Sequence, residues 1–169
     1  RTVPGTPHPK AAFFSRGTGH TDRATYSEKP DDWQNNMDRL LRKFNTARSI
    51  LPQPVVDKHD DGAVAIIAYG SSDAPVQEAR HRLTAEHGIK TNYLRIRALP
   101  ASDAVRQFII EHKHVIVIEQ NRDAQLASIL RSDYPDLAPR IDSLLYYNGL
   151  PLDAQTVVTG IVSNPGTVK

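Results

Sequence analysis

Three observations predict an α/β fold, a three-layer α/β/α sandwich whose mostly parallel sheet carries helices on both faces. Short, wholly apolar, β-branched runs such as residues 115–118 suit strands buried on both faces. These runs alternate with amphipathic helical patterns, and a repeated β-then-α order calls for parallel strands joined by right-handed crossovers. The helical patterns also carry their own start and stop residues, among them Ser102, Asp153 and the His87-Gly88 pair.

The elements follow in order. Residues 1–30 are rich in Pro, Gly, Thr and Ser with little periodicity, which reads as a long arm. The chain opens on Arg1, and Pro4, Pro7 and Pro9 follow closely, the expected look of a piece of a longer polypeptide entered through an extended linker. Trp33, Met37, Leu40, Leu41, Phe44 and Ile50 recur at helical spacing, with Asp31 and Asp32 suited to the helix N-terminus and Pro52 and Pro54 ending it. Next come a strand over 63–69, a Gly70-Ser71-Ser72-Asp73 turn and a helix over 75–86. A strand over 90–96 leads to a helix carrying Val105, Phe108 and Ile109, and then to a third strand over 112–118. A helix over 121–132, a fourth strand over 141–147 and a helix from Asp153 to about Val162 complete the series. The expected organisation is an arm, loop and linking helix over 1–54, then an α/β domain over 55–169.

Composition excludes several functions. The 169 residues carry a formal net charge of only +2 with both signs interspersed, so the electrostatic footprint of a nucleic-acid binder is missing. Arg39, Arg42, Lys43 and Arg48 spread along one helix, as a solvated face or a phosphate-binding stripe. No apolar run approaches the roughly 18 residues of a membrane span, and no export signal is visible. With no cysteine, the chain itself offers no disulfide, thiolate nucleophile or cysteine-ligated cluster, a composition compatible with the cytoplasm. The histidines show no metal-ligand spacing, and there is no nucleophile elbow or Ser-His-Asp set.

Three segments can carry chemistry. Glu119, Gln120 and Asn121 follow a buried strand at once, where open α/β sheets bind ligands or partners; Asn121 could equally cap the next helix. Gly70-Ser71-Ser72 could present amides and hydroxyls to an anion, or simply form a tight turn; it matches neither a Walker A loop nor a dinucleotide fingerprint. The arm segment from Ser15 to Thr25 gathers two guanidiniums, an imidazole and hydroxyls among glycines, as a surface loop or an anion site.

Several motifs occur in one order: Arg16-Gly17-Thr18-Gly19-His20, Arg39-Leu40 with Arg42-Lys43-Phe44, Tyr69-Gly70-Ser71, Leu94-Arg95-Ile96 with Leu99-Pro100, Val117 to Asn121 with Gln125-Leu126, and Tyr147-Asn148-Gly149 with Pro151-Leu152. From about Phe13 to Ile161 the chain resembles the C-terminal region of the alpha subunit of 2-oxoacid:ferredoxin oxidoreductases, the 2-oxoglutarate type above all. It departs at Ala124, where the family usually has glycine, and at Ala101-Ser102, where a second proline-rich element is common.

The resemblance implies a domain like the C-terminal domain of transketolases. It further implies an enzyme that decarboxylates a 2-oxoacid on thiamine diphosphate, with Mg2+, a 4Fe-4S cluster, CoA and ferredoxin. The diphosphate-binding half and the cluster cysteines would lie on a beta subunit. This chain would then bind no cofactor or metal by itself and hold no catalytic residue. Its partners would be that subunit, other alpha-chain domains, ferredoxin and the 2-oxoacid.

Arg16 is the expected contact to a distal substrate carboxylate, or else an interdomain ion pair. Thr25 could add a hydroxyl, while Thr18 and His20 shape the loop. Glu119, Gln120 and Asn121 are expected to bond to neighbouring loops or domains. Other readings are a stand-alone doubly wound ligand-binding or regulatory module, and the C-terminal domain of a transketolase or oxoacid dehydrogenase.

Overall fold

The computed structural model describes residues 2–12, 17–59 and 61–164. The chain divides into two compact units, Arg1–Ser49 and Ile50–Lys169. The first holds the arm and most of helix α1 (Pro30–Ile50), which has Asp31 and Asp32 in its first turn. Trp33, Met37, Leu41 and Phe44 line up along this helix and stay exposed, while Asn36 is buried.

The second unit is the three-layer sandwich expected from the sequence. Its strands are β1 (Val55–Asp57), β2 (Val64–Tyr69), β3 (Thr91–Ile96), β4 (Val115–Glu119) and β5 (Ile141–Leu145). They form one sheet in the order β1-β3-β2-β4-β5, parallel except for the antiparallel β1–β3 pair. The helices are α2 (Asp73–His87), α3 (Asp103–Ile110), α4 (Gln125–Asp133) and α5 (Ala154–Val162).

Alternation along the buried strands sends side chains to two separate cores. Ala65, Ile67, Leu94, Val115 and Val117 pack with Val105 and Phe108 of α3 and Leu126 and Leu130 of α4. Ile66, Ala68, Tyr93, Ile116 and Ile118 pack with Val76 and Leu83 of α2 and Val157 and Ile161 of α5. Gly88 ends α2 in the left-handed region at φ 65°, and the Asp153 carboxylate accepts from the Thr156 N–H at 2.7 Å to cap α5.

The structure departs from the sequence reading in several places. β1 is an additional strand, and residues 135–140 form a 3-10 turn before β5. β5 ends at Leu145, two residues short of the expected limit, and α4 starts at Gln125, four residues later than its pattern suggests. Ser102 occupies the N-cap position of α3 without a capping side-chain bond, and its buried hydroxyl has no hydrogen-bond partner.

Buried polar groups tie the layers together. The Arg80 guanidinium, 6% exposed, donates to the Thr91 hydroxyl at 3.0 Å and pairs with Asp57 of β1 at 2.8 Å. It also lies 5.0 Å from the Tyr93 ring centroid, within cation–π range. The Tyr93 hydroxyl donates to Asp73 at 2.7 Å, and burial followed by that bond pushes the phenol above its ordinary value. One residue on from Thr91, the Asn92 side-chain carbonyl accepts from the His59 N–H at 2.7 Å. The Asn92 amide meets His112 Nε2 at 2.8 Å, and His112 Nδ1 lies 2.6 Å from the Phe108 carbonyl. Gly62 lies against this amide so closely that a Cβ would sit 2.5 Å from the Asn92 oxygen.

Two predictions follow from these contacts. Gly62→Ala should lower unfolding free energy by about 1–3 kcal/mol, because the Asn92 amide must give up its partners. Combined with Asn92→Ala it should add almost nothing in urea denaturation, whereas additive losses would refute the coupling. Because the folded Tyr93 phenol ionises above its unfolded counterpart, its contribution is complete below about pH 10 and lost as pH rises further. Tyr93→Phe should therefore flatten the decline in urea midpoint between about pH 9 and 11.

Candidate functional site

The carboxyl ends of β2 and β4 meet where the strand order changes direction, the position at which open α/β sheets form a ligand crevice. Glu119, the last residue of β4, is fully buried. Its Oε2 accepts from the Leu126 N–H at 2.7 Å and the Asn121 side-chain amide at 2.9 Å; Oε1 accepts from the Ala127 N–H at 3.0 Å. This carboxylate thus serves N–H groups in the first turn of α4, which no earlier turn can satisfy. Asn121 contributes as well, its Oδ1 accepting from the Asp123 and Gln125 N–H groups, each at 3.1 Å.

The loop between these bonds closes through Ala124 at φ 50°, ψ 48°. This is the left-handed region, where a glycine avoids the Cβ penalty, so the departure seen in the sequence falls on a residue with strained backbone. Gln120 spans the crevice. Its amide nitrogen donates to the Ser71 and Ser72 hydroxyls at 3.1 Å each, and its oxygen accepts from the Leu152 N–H at 3.4 Å. The two strand ends singled out in the sequence therefore come together, but their polar side chains satisfy one another.

Beside this filled crevice lies an open cavity of about 460 Å³. Tyr69 and Gly70 from the end of β2, residues 96–99 from the end of β3, and Gln125, Leu126 and Ile129 from α4 surround it.

In the first unit, residues 19–27 fold back as a narrow hairpin. The Ser27 N–H donates to the Gly19 carbonyl at 3.1 Å, His20 and Tyr26 form an antiparallel bridge, and the Thr21 N–H donates to the Thr25 carbonyl at 2.8 Å. Gly19 permits this approach, since a Cβ there would lie 2.6 Å from the Ser27 carbonyl oxygen. The Thr25 hydroxyl pairs with that of Thr21 at 2.6 Å, and His20 Nδ1 lies 3.3 Å from the Thr18 carbonyl. Asn36 of α1 donates its side-chain amide to the His20 carbonyl, and Ser27 donates to Asp32. Thr18, Gly19, Tyr26, Glu28 and Trp33 border an open basin of about 610 Å³. Arg16 lies outside the described residues.

Sequence reasoning did not single out Asn36, Asn92 or Arg80. Nothing local marks them, because the groups they serve lie many residues away along the chain. Among the described residues no group of His, Asp or Glu side chains could hold a metal ion, and no helix is long and apolar enough to cross a membrane.

No family model matches the chain. Over 147 residues, 84% of this chain, it is 28% identical to 2-oxoacid:ferredoxin oxidoreductase 2, subunit alpha, of Aeropyrum pernix, and it spans 22% of that protein. It also superposes on the solved structure of 2-oxoglutarate:ferredoxin oxidoreductase from Magnetococcus marinus, which has 2-oxoglutarate, coenzyme A and succinyl-CoA bound. That match has a TM-score of 0.71 and 26% identity, covering 92% of this chain and 27% of the other. Over most of its length this chain is therefore similar to 2-oxoacid:ferredoxin oxidoreductases, to an alpha subunit by sequence and to a solved enzyme by fold.

Glu119→Gln should cost about 1–3 kcal/mol in denaturant unfolding, since an amide nitrogen would face an N–H of the α4 first turn. Glu119→Ala, which leaves all three donors without an acceptor, should cost more. A Gln variant with an unchanged midpoint would show that the carboxylate does not hold this helix start.

Proposed function

We propose that the chain is part of the alpha subunit of a cytoplasmic 2-oxoacid:ferredoxin oxidoreductase. With CoA, the assembled enzyme would convert 2-oxoglutarate or a related 2-oxoacid to an acyl-CoA and CO2, the two electrons passing to ferredoxin. The observation that carries this reading is the joint match in sequence and fold across more than four-fifths of the chain. The chain spans only about a quarter of those proteins, so it would act as one part of the catalyst.

The donor set supports a division of labour. The chain has no cysteine for a 4Fe-4S cluster, and its described residues offer no acidic or imidazole cluster suited to Mg2+. These residues do not fit thiamine diphosphate with its metal, or the cluster, and we assign both to the beta subunit. The α/β unit would supply scaffold and subunit interface, with Glu119, Gln120 and Asn121 fixing the loops at the strand ends.

The arm would supply the substrate contact. A 2-oxoacid with a second carboxylate needs a cation for it, because burying that charge unpaired is costly. In sequence Arg16 directly precedes a glycine-rich segment whose hairpin is tied to α1 through Asn36, and Thr25 lies on the returning side of that hairpin. We assign the distal carboxylate to Arg16 and a supporting hydroxyl to Thr25, with Thr18 and His20 shaping the loop.

The test begins with co-purification of a beta subunit, then 2-oxoglutarate- and CoA-dependent reduction of a viologen dye. Arg16→Ala should lower kcat/KM for 2-oxoglutarate by about ten- to a hundredfold, the value of a charge-assisted pair, and affect pyruvate far less. Equal losses for both acids would assign Arg16 to loop support. Failure of any 2-oxoacid to reduce the dye in the assembled complex would overturn the functional reading itself.

A further inference from the structure

We propose that the cavity at the carboxyl ends of β2 and β3 binds a small organic monoanion, a single carboxylate carried on a compact apolar body. The proposal is independent of the arm loop and of the reaction assigned above. Three features carry it.

The first is place and size. Open α/β sheets bind ligands beyond the carboxyl ends of their strands, and about 460 Å³ lies within the range of small-molecule sites. The crevice between β2 and β4 is spanned by the bonded Gln120, while this cavity is an open recess on that edge. Gly70, at φ 56°, borders it from the β2 side.

The second is the wall. Ile96 and Leu126 are buried at the base, while Tyr69, Leu99 and Ile129 are partly or fully exposed around it. Such a surface favours an apolar body over a sugar or a heavily hydrated group.

The third is the charge. Arg97 borders the cavity and makes no ion pair or hydrogen bond among the described residues. Every other arginine of the α/β unit is engaged: Arg80, Arg82, Arg95, Arg106, Arg122, Arg131 and Arg140 each meet a carboxylate or a carbonyl. A guanidinium is suited to bidentate capture of a carboxylate. It is the one cation lining the recess, so the ligand should carry one negative charge, and a nucleotide or other polyanion would lack countercharge. The Gln125 side chain adds a second polar group to the same lining.

The test is calorimetric titration of the protein with 2-naphthoate, alongside its neutral counterpart 2-naphthamide. We expect saturable one-site binding of the naphthoate, with the amide weaker by about tenfold for want of the charge-assisted bond. Arg97→Gln should abolish that preference while leaving the melting temperature unchanged. Ile129→Trp, which fills the recess from a partly exposed helix position, should remove binding of both compounds. Non-saturable heats, or binding that neither substitution alters, would overturn the proposal.

Discussion

A single buried carboxylate sets the geometry of the sheet's carboxyl edge. Glu119 ends the interior strand β4 and accepts from the Leu126 and Ala127 N–H groups, so strand and following helix are locked at one point. A helix start buried without acceptors is costly, and a carboxylate there also meets the positive end of the helix dipole. The bond pulls the start of α4 back to Gln125 and compresses residues 120–124 into a loop that forces Ala124 to positive φ. Leu126 and Leu130 are then delivered to the core shared with α3, while Ile129 is left facing outward.

The same economy distinguishes the two recesses along that edge. Between β2 and β4, Gln120, Ser71 and Ser72 use their hydrogen-bonding capacity on one another. This bridges the crevice and ties the β2 turn to the segment leading into α5 through Leu152. Between β2 and β3, Tyr93 and Arg95 reach Asp73 at the start of α2, and the surface beside them remains concave and largely apolar.

Much of this was legible in the sequence because the relevant forces are local or periodic. The β-branched run of β4, the Gly88 stop and the Asp153 cap announce themselves within a few residues. The strand ends at Gly70-Ser71-Ser72 and Glu119-Gln120-Asn121 were visible as polar groups directly after buried strands. Their mutual bonding was not, since Gln120 and Ser71 lie 49 residues apart. Asn121 has the chemistry of a cap, and its sequence pattern placed it inside the helix; Glu119, acting from the preceding strand, moved the start to Gln125. β1 escaped notice because it is three residues long, exposed throughout and without alternation to reveal it. Apolar spacing correctly located α1, yet spacing alone does not show that Trp33, Met37, Leu41 and Phe44 stay exposed along it.

That inconspicuous first strand changes how the molecule meets its neighbours in solution. Without β1, β3 would form the border of a parallel sheet and offer a row of unmatched backbone groups to any passing chain. β1 covers that border with three residues, preceded by Pro52 and Pro54 and fastened at Asp57 by the buried Arg80. So short a segment, introduced by prolines and ending on a carboxylate, is a poor template for templated stacking. The hydrophobic strands that build the core are thereby shielded from fibrous self-assembly by the shortest strand of the sheet.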